Sequence, residues 1–383
     1  MNVDAARERF SSLQQGFAFF DAPGGTQVPD EVGQAIANAL RVASGNLGAP
    51  YATGRAVEAI LAQAKADAAR FLACSADEIS FGMNMTTLDF AITRAAGRDF
   101  QAEDEIVTTE LDHDGGVAPW VELAADKGMT VRVARATDEL TVDYDDLERQ
   151  ISDRTRVVAF AIASNATGSV ADAKRICALA RAAGAISWID AVHYAAHEPI
   201  DVRELGCDVL LCSPYKFCGP HLGIAYVRRE LAESWRPYKA RPSAATPVGR
   251  RFETGTLPYE LLAGFSATIA YLDSLGGLAP IREYERRLGA QFLDSLPSGV
   301  TLYGPPTMEG RVPTFLLNVD GVPAAEVARR LAEQHIGVWS ADNWYCVALG
   351  PRLPEQSVRA GIAHYNTHDE VDRLVSALAA LAP

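Results

Sequence analysis

The fold is decided by two stretches of the chain, Ile186-Ser-Trp-Ile-Asp190 and Asp208-Val-Leu-Leu-Cys-Ser-Pro-Tyr-Lys216. Each contains a short apolar run typical of a parallel strand buried on both faces, and each run leads to a charged residue. Ligands of α/β sheets bind at the carboxyl ends of the strands, where Asp190 and Lys216 would lie. An enzyme needs this pair to hold pyridoxal phosphate, because the lysine forms a Schiff base with the cofactor and the aspartate faces its pyridine nitrogen.

Five lysines occur in the chain, so Lys216 can be chosen by elimination. The alternative for a single lysine at a strand end is a side chain that extends along apolar surface to reach water. Because Lys216 occurs together with Asp190 and with several further motifs, we favour a lysine that binds the cofactor. The other lysines lie in helical patterns, at a helix C-terminus or in a basic stretch, and we expect them to be solvated: Lys65, Lys127, Lys174 and Lys239.

The composition is that of a globular protein with more than one core. With 383 residues, 48% of them hydrophobic, the chain should form one large and one smaller domain. A net charge of -14 disfavours binding to nucleic acid or to an anionic membrane. No apolar run is long enough to span a bilayer and the N-terminus is too polar for a signal peptide, so we expect a cytoplasmic protein. The six cysteines show neither CxxC pairs nor Cys/His metal spacing, which predicts no disulfide framework and no metal site.

Short apolar runs alternate with helical patterns between about residues 75 and 230. This alternation predicts an α/β fold with a mostly parallel, seven-stranded sheet covered by helices, followed by a smaller α+β domain. We place an N-terminal segment that packs on the small domain at 1–20, the large cofactor-binding domain at 21–265 and the small domain at 266–383. The predicted strands of the large sheet are Ile79–Phe81, Glu105–Thr108, Met129–Val133, Val157–Ile162, Ile186–Asp190, Val209–Cys212 and Gly223–Val227, and the helices between them are Thr87–Ala96, Val117–Asp126, Tyr144–Ile151 and Asp172–Ala183.

Three loops after predicted strands carry further candidates for the site. Phe81-Gly-Met-Asn-Met-Thr-Thr87 leads into a helix, whose first backbone N–H groups favour an anion such as phosphate; the alternative is an ordinary threonine N-cap. His113 could lie flat on an aromatic cofactor or simply bond to loop backbone. The amide of Asn165 could bond a phenolic oxygen or hold a turn.

The order of these motifs resembles the class V aminotransferase family of pyridoxal phosphate enzymes, in particular its cysteine desulfurase branch. The likeness runs from Phe20-Asp-Ala-Pro-Gly-Gly25 to His364-Tyr-Asn-Thr367. It implies the fold type I architecture of aspartate aminotransferase. It also implies that Thr86 and Thr87 bind phosphate, that His113 stacks on the cofactor ring and that Asn165 contacts its phenolic oxygen.

The resemblance assigns the remaining roles as well. Asp190 would meet the pyridinium, and Lys216, with Ser213 in the same motif, would carry the cofactor. Arg359 corresponds to the arginine that grips the substrate carboxylate, a task that suits its planar fork of N–H groups. Thr256 corresponds to a threonine that reaches the phosphate of the neighbouring subunit, which implies a homodimer.

Three residues depart from the family pattern. Tyr215 replaces the histidine that precedes the lysine in desulfurases, although its hydroxyl could still bond phosphate. His193 replaces a glutamine and would put a titratable donor near the phenolic oxygen of the cofactor. Cys346 stands in a strand-like, apolar context, whereas a desulfurase cysteine that attacks substrate sulfur needs exposure and a lowered pKa. We interpret Cys346 as a core or pocket-wall residue.

These observations favour an enzyme that cleaves the C–S bond of L-cysteine or an S-substituted cysteine, by β-elimination or by desulfuration. The alternative is another reaction of the same family, such as transamination, racemisation, epimerisation or decarboxylation of an amino acid. A second basic residue for a distal carboxylate would support that alternative, and Arg55 and Arg251 are the candidates. A fold that is retained only for binding is the third hypothesis, and the complete set of cofactor motifs argues against it.

Overall fold

A computed structural model of the chain describes residues 1–240, 245–342 and 344–383. Thirteen strands are formed within these ranges. In chain order they are β1 (Ala18–Phe19), β2 (Ile79–Gly82), β3 (Glu105–Thr109), β4 (Thr130–Ala134), β5 (Thr155–Ala161), β6 (Ile186–Asp190), β7 (Val209–Cys212), β8 (Gly223–Val227), β9 (Val300–Tyr303), β10 (Thr314–Val319), β11 (Ile336–Gly337), β12 (Trp339–Ala341) and β13 (Ser357–Gly361).

Thirteen α-helices lie in the same ranges. They are α1 (Val3–Arg7), α2 (Asp30–Val42), α3 (Ala52–Leu72), α4 (Met85–Ala96), α5 (Asp114–Lys127), α6 (Tyr144–Gln150), α7 (Ala173–Ala182), α8 (Val202–Leu205), α9 (Arg229–Ser234), α10 (Tyr259–Ser274), α11 (Leu278–Asp294), α12 (Ala324–Glu333) and α13 (His368–Leu381). Among the described residues no single helix is long and apolar enough to cross a membrane, and α10 with α11, bent by 71°, meets those criteria only as a pair.

The large sheet confirms the predicted architecture. Its seven strands lie in the order β2-β8-β7-β6-β5-β3-β4, and all neighbours are parallel except those of β8. Every residue of β7 is buried, as the apolar run Val209–Cys212 predicts for a central strand. On one face of the sheet three indoles pack together, with Trp188 on β6 between Trp120 and Trp235 at ring-centroid distances of 4.8 and 6.0 Å.

A second, four-stranded antiparallel sheet has the order β12-β13-β10-β9. The N-terminal segment reaches this part of the chain, because β1 pairs in parallel with β11 and Arg7 forms an ion pair with Glu370 at 2.9 Å. The domain limits that we placed after residues 20 and 265 stay predictions. The second of them falls inside helix α10.

The expectation that the other four lysines are solvated is wrong for one of them, and the choice of Lys216 stays a prediction. Lys65 is buried, not solvated: its Nζ donates to the Ile79 carbonyl at 2.6 Å and forms an ion pair with Glu253. The alanine-rich face of α3 packs against the rest of the large domain, and Lys65 is buried in that contact. A helical pattern in the sequence does not show which face of the helix is covered. Lys127 and Lys239 are half-buried and donate to backbone carbonyls, whereas Lys174 is exposed.

Candidate active site

A cleft at the carboxyl ends of the large sheet collects most of the predicted site residues. Its cavity has a volume of about 60 Å³. The loops after β2, β3, β5, β6 and β7 each contribute to it, since the parallel strands all end at this edge. The predicted residues that line the cleft are Thr86, His113, Asn165, Asp190, His193, Ser213, Tyr215 and Lys216, and the lining also includes Asn84, Met85, Ala161, Ala163 and Val192.

Lys216 follows β7 by four residues, in a short 3-10 turn that begins at Pro214. Its Nζ donates to the carbonyl oxygen of Pro23, a residue of the N-terminal motif, and lies 4.9 Å from the centre of the Tyr215 ring. Burial, reinforced by the positive charge of Arg359, lowers the pKa of Lys216 to about 7. Close to neutral pH a large fraction of this amine is therefore unprotonated and able to attack a carbonyl carbon.

Asp190 ends β6, the strand beside β7, and its side chain points into the same cleft. Oδ1 accepts a hydrogen bond from the Val192 N–H at 2.8 Å. Burial raises the pKa of Asp190 to about 6, while that hydrogen bond and the charge of Lys216 act in the opposite direction. A cationic ring nitrogen placed beside this carboxylate would stabilise its ionised form further.

The turn between β2 and α4, where we predicted the phosphate site, lies at the start of a helix. Asn84, not a threonine, is the N-cap: its Oδ1 accepts the Thr87 N–H at 2.8 Å. The helix therefore begins at Met85, two residues before the predicted start. Ser213 Oγ accepts the Met85 N–H at 3.1 Å, which ties the lysine loop to this turn. Thr86 faces the cleft, whereas Thr87 is exposed and its hydroxyl bonds to the Asn84 carbonyl at 3.1 Å.

His113 caps helix α5 and borders the cleft. Its Nδ1 accepts the Gly115 N–H at 2.8 Å, so the neutral ring carries its proton on Nε2. Burial, with the charges of Lys216 and Arg359, lowers the pKa of His113 to about 4, which keeps the ring neutral at pH 7. A neutral, flat ring at this position suits stacking on an aromatic cofactor, and in the structure the ring stacks on Tyr345 with centroids 5.4 Å apart.

The segment that carries Cys346 covers two of the predicted binding residues; position 343 of this segment lies outside the described residues. Asn165 Nδ2 donates to the Trp344 carbonyl at 2.9 Å, and the Cys346 thiol donates to Asn165 Oδ1 at 3.1 Å. The guanidinium of Arg359 lies 4.2 Å from the centre of the Trp344 ring and donates to the Asn165 carbonyl at 2.8 Å. Arg359 is thus adjacent to the cleft but covered by this segment.

His193 is held by the small sheet. Its Nε2 bonds to the Thr314 hydroxyl at 2.8 Å, and Thr314 begins β10. Burial, together with neighbouring His197, lowers the pKa of His193 well below the usual value. The titratable donor that we expected near the phenolic oxygen is therefore a neutral ring at pH 7. Tyr215 packs flat on His221, with centroids 5.0 Å apart.

Other predicted residues lie away from the cleft. Thr256 is exposed in a surface groove with Asn46 and Lys239, so it does not reach the cleft of its own chain. Arg55 and Arg251 donate to the carbonyls of Pro50 and Trp235, and neither lines the cleft. Neither arginine is therefore placed in this cleft to bind the distal carboxylate of a dicarboxylate substrate.

Comparison with known proteins decides the family. The family model for class V aminotransferases matches residues 18–374. The chain belongs to the class V aminotransferase family. It is 33% identical to a probable cysteine desulfurase 2 of Mycobacterium leprae, over 98% of this chain and 96% of that protein. It is 32% identical to a cysteine desulfurase of Yersinia pestis, over 80% of this chain and 78% of that protein.

A solved structure agrees with these relatives. The apo cysteine desulfurase of Thermococcus onnurineus superposes with a TM-score of 0.94 at 25% identity, covering 100% of this chain and 98% of that one. The predicted fold type I architecture is confirmed. The protein is an enzyme of a family that uses pyridoxal phosphate.

The side chains of the cleft fit this cofactor. The helix start at Met85 with Ser213 suits the phosphate, the carboxylate of Asp190 suits the ring nitrogen, and the amine of Lys216 suits the aldehyde. His113 offers a flat neutral ring beside them. The individual roles of these residues stay predictions that the experiments below address.

Proposed function

We propose that this enzyme cleaves the C–S bond of L-cysteine, or of an S-substituted cysteine, by β-elimination. The observation that carries the proposal is a cleft lined by Lys216, Asp190 and His113 in a chain whose relatives are named cysteine desulfurases, combined with a buried Cys346. For L-cysteine and one water the products would be pyruvate, ammonia and hydrogen sulfide. The same site would accept an S-substituted cysteine and release the corresponding thiol.

Each residue of the site has a separate role in the proposed β-elimination. Arg359 would bind the substrate carboxylate once Trp344 is displaced from its guanidinium: only its Nη1 donates to an acceptor among the described residues, which leaves further N–H groups for a bidentate contact. Bound pyridoxal phosphate supplies the electron sink that makes the Cα proton acidic. Lys216, as a free amine, accepts that proton at Nζ. The electron pair of the Cα–H bond then forms a Cα–Cβ double bond, the Cβ–S pair leaves with sulfur, and sulfur takes up a proton.

Cys346 favours elimination over desulfuration. Transfer of sulfur to the enzyme requires a thiolate that can approach the sulfur atom of the substrate. The Cys346 side chain is fully buried and donates to Asn165, and burial raises the pKa of its thiol to about 12. β-Elimination needs no protein thiol, so it requires nothing of Cys346.

The Cys346→Ala variant is expected to retain turnover of L-cysteine. Loss of one thiol hydrogen bond should change kcat/KM by no more than about threefold. The measurement is product analysis on the cofactor-loaded enzyme, with pyruvate, ammonia, sulfide and alanine quantified for L-cysteine and several S-substituted cysteines. We expect pyruvate in equal amount to sulfide or thiol, for both the parent enzyme and the variant.

The matched control is Cys177→Ala, which truncates another buried cysteine in α7, away from the cleft. A complete loss of turnover in Cys346→Ala but not in Cys177→Ala, with alanine and protein-bound sulfur as products of the parent enzyme, would establish desulfuration instead. If neither pyruvate nor alanine forms, the reaction is another one of this family.

Turnover is expected to increase as the pH rises through about 7, the pKa to which burial lowers Lys216. The amine accepts a proton only when neutral, so kcat should fall about tenfold for each pH unit below that pKa and level off above it. The measurement is kcat at saturating substrate across this range, with samples returned to the reference pH to separate titration from inactivation. A kcat that falls on raising the pH would show that the protonated amine is required.

We also propose a homodimer. The support is the position of Thr256, which is exposed in a groove at some distance from its own cleft and so is free to contact the phosphate site of a second copy.

A further inference from the structure

Asp89 is a buried carboxyl group that the proposed mechanism leaves without a role. It lies in α4, one turn after the helix start at Met85, and its side chain has no exposed surface. Oδ1 accepts hydrogen bonds from Trp188 Nε1 at 2.9 Å and from Thr93 Oγ1 at 3.2 Å. Oδ2 has no partner among the residues that the structure describes. An unpaired buried oxygen is uncommon, and its position is informative.

That oxygen belongs to a residue lining a second, small cavity, which lies next to the cofactor cleft. The cavity has a volume of about 10 Å³, close to the size of one water molecule. Asp190 and His113 line both the cleft and this cavity. Asp89, Asp112 and Asp190 therefore meet around one water-sized space, and Asp190 alone of the three faces the cofactor as well.

The hydrogen bonds of the three carboxyl groups differ. Asp112 is satisfied as an acceptor by the Thr109 N–H and hydroxyl and by the Ala161 N–H, at 2.7 to 2.8 Å. Asp190 accepts the Val192 N–H on Oδ1, and among the described residues nothing donates to its Oδ2. Asp190 thus has an oxygen that can accept a further hydrogen bond.

Asp89 is the group that can supply the donor. No cation pairs with it among the described residues, and burial together with the charge of Asp190 raises its pKa well above the usual value. That shift and the unpaired, fully buried Oδ2 both favour the protonated form of the Asp89 carboxyl group, which carries an O–H. Two nearby buried carboxyl groups repel each other when both are ionised, so one of them keeps its proton.

We propose that Asp89 is a positioning residue whose protonated carboxyl group donates a hydrogen bond to Asp190 through one water molecule held in the small cavity. A donor to the carboxylate favours its ionised form and so opposes the effect of burial on Asp190. Asp190 is thereby kept as an anion aimed at the ring nitrogen of pyridoxal phosphate. The inference rests on the proposed role of Asp190, and it adds a residue that acts only through it.

The test compares the affinity of three apo proteins for two cofactors. The proteins are the parent, Asp89→Asn and Asp89→Leu, and the ligands are pyridoxal phosphate and an analogue whose ring nitrogen is replaced by carbon. Asp89→Leu is expected to raise the Kd of pyridoxal phosphate about tenfold or more, the effect of one hydrogen bond to a charged group. Its Kd for the carbon analogue should stay within about twofold of the parent's, because the analogue has no ring nitrogen that could interact with Asp190. Asp89→Asn keeps an N–H donor and the acceptor for Trp188, so it should bind like the parent.

Each other outcome overturns the inference. If Asp89→Leu weakens both ligands equally, Asp89 is only structural, and if it weakens neither, Asp89 has no role. If Asp89→Asn binds as poorly as Asp89→Leu, an ionised Asp89 is required. A parent enzyme that does not prefer pyridoxal phosphate over the analogue would refute the role of Asp190 itself. Should Asp89→Leu fail to fold, infrared difference spectra decide: the carbonyl band of a protonated carboxylic acid must be present in the parent and absent in Asp89→Asn.

Discussion

The Lys216→Ala variant is expected to lose both the covalent attachment of pyridoxal phosphate and nearly all turnover. Alanine has no amine to condense with the cofactor aldehyde or to accept the Cα proton, and loss of the base alone should lower kcat by at least about 10³-fold. The cofactor should still bind, because its phosphate and ring sites lie on other elements. The measurement is the intact mass after borohydride reduction, which should show a cofactor adduct for the parent enzyme and none for the variant.

Lys174→Ala is the matched control for this experiment. Lys174 is exposed on α7 and pairs with the exposed Glu204, so its removal should leave the adduct and kcat unchanged. Lys65 would be a poor control, because removing it takes a buried donor away from Glu253 and from the Ile79 carbonyl. A Lys216→Ala protein that still forms the adduct would mean that another lysine carries the cofactor.

The Asp190→Asn variant is expected to show the second largest loss. A carboxylate about 4 Å from a cationic ring nitrogen stabilises it by about 4 kcal/mol at an effective dielectric constant of 20, so kcat/KM should fall by about 10³-fold. Asparagine keeps the size of the side chain and the acceptor for the Val192 N–H, so the fold should be preserved. The measurement is kcat/KM for L-cysteine, with thermal unfolding of both proteins as a check on stability.

Asp172→Asn serves as the control for the loss of one negative charge. Asp172 is an exposed N-cap of α7, and asparagine caps a helix about equally well. Full activity of Asp190→Asn would show that the ring nitrogen does not depend on this carboxylate, and it would remove the basis for the role of Asp89 too.

The large domain was predictable because its signals are local. Apolar runs of four to seven residues bounded by helical patterns define buried parallel strands, and three of the seven predicted strands, those ending at Asp190, Cys212 and Val227, match the structure residue for residue. Most of the candidate site residues follow from that, since Asp190 ends a strand and Thr86, His113, Asn165 and Lys216 each lie four residues past one.

What the sequence could not reveal depends on contacts between distant segments. The burial of Lys65 depends on Glu253, and the cover over Arg359 depends on Trp344. Asn84 as N-cap had a local signal, because asparagine is among the best capping residues, but the two threonines that follow it competed for that role. The sequence pattern of α4 does not indicate the unpaired oxygen of Asp89, because an acidic residue in a helix is usually predicted to face solvent.

The packing of Trp188 between Trp120 and Trp235 has a practical consequence. Trp188 lies two residues before Asp190, donates to Asp89 and lines the small cavity next to the cofactor cleft, and the other two indoles pack on it. Their ultraviolet emission overlaps the absorption of bound pyridoxal phosphate. Loading of the cleft should therefore quench the intrinsic fluorescence of the protein, which gives it a built-in optical reporter that requires no added dye.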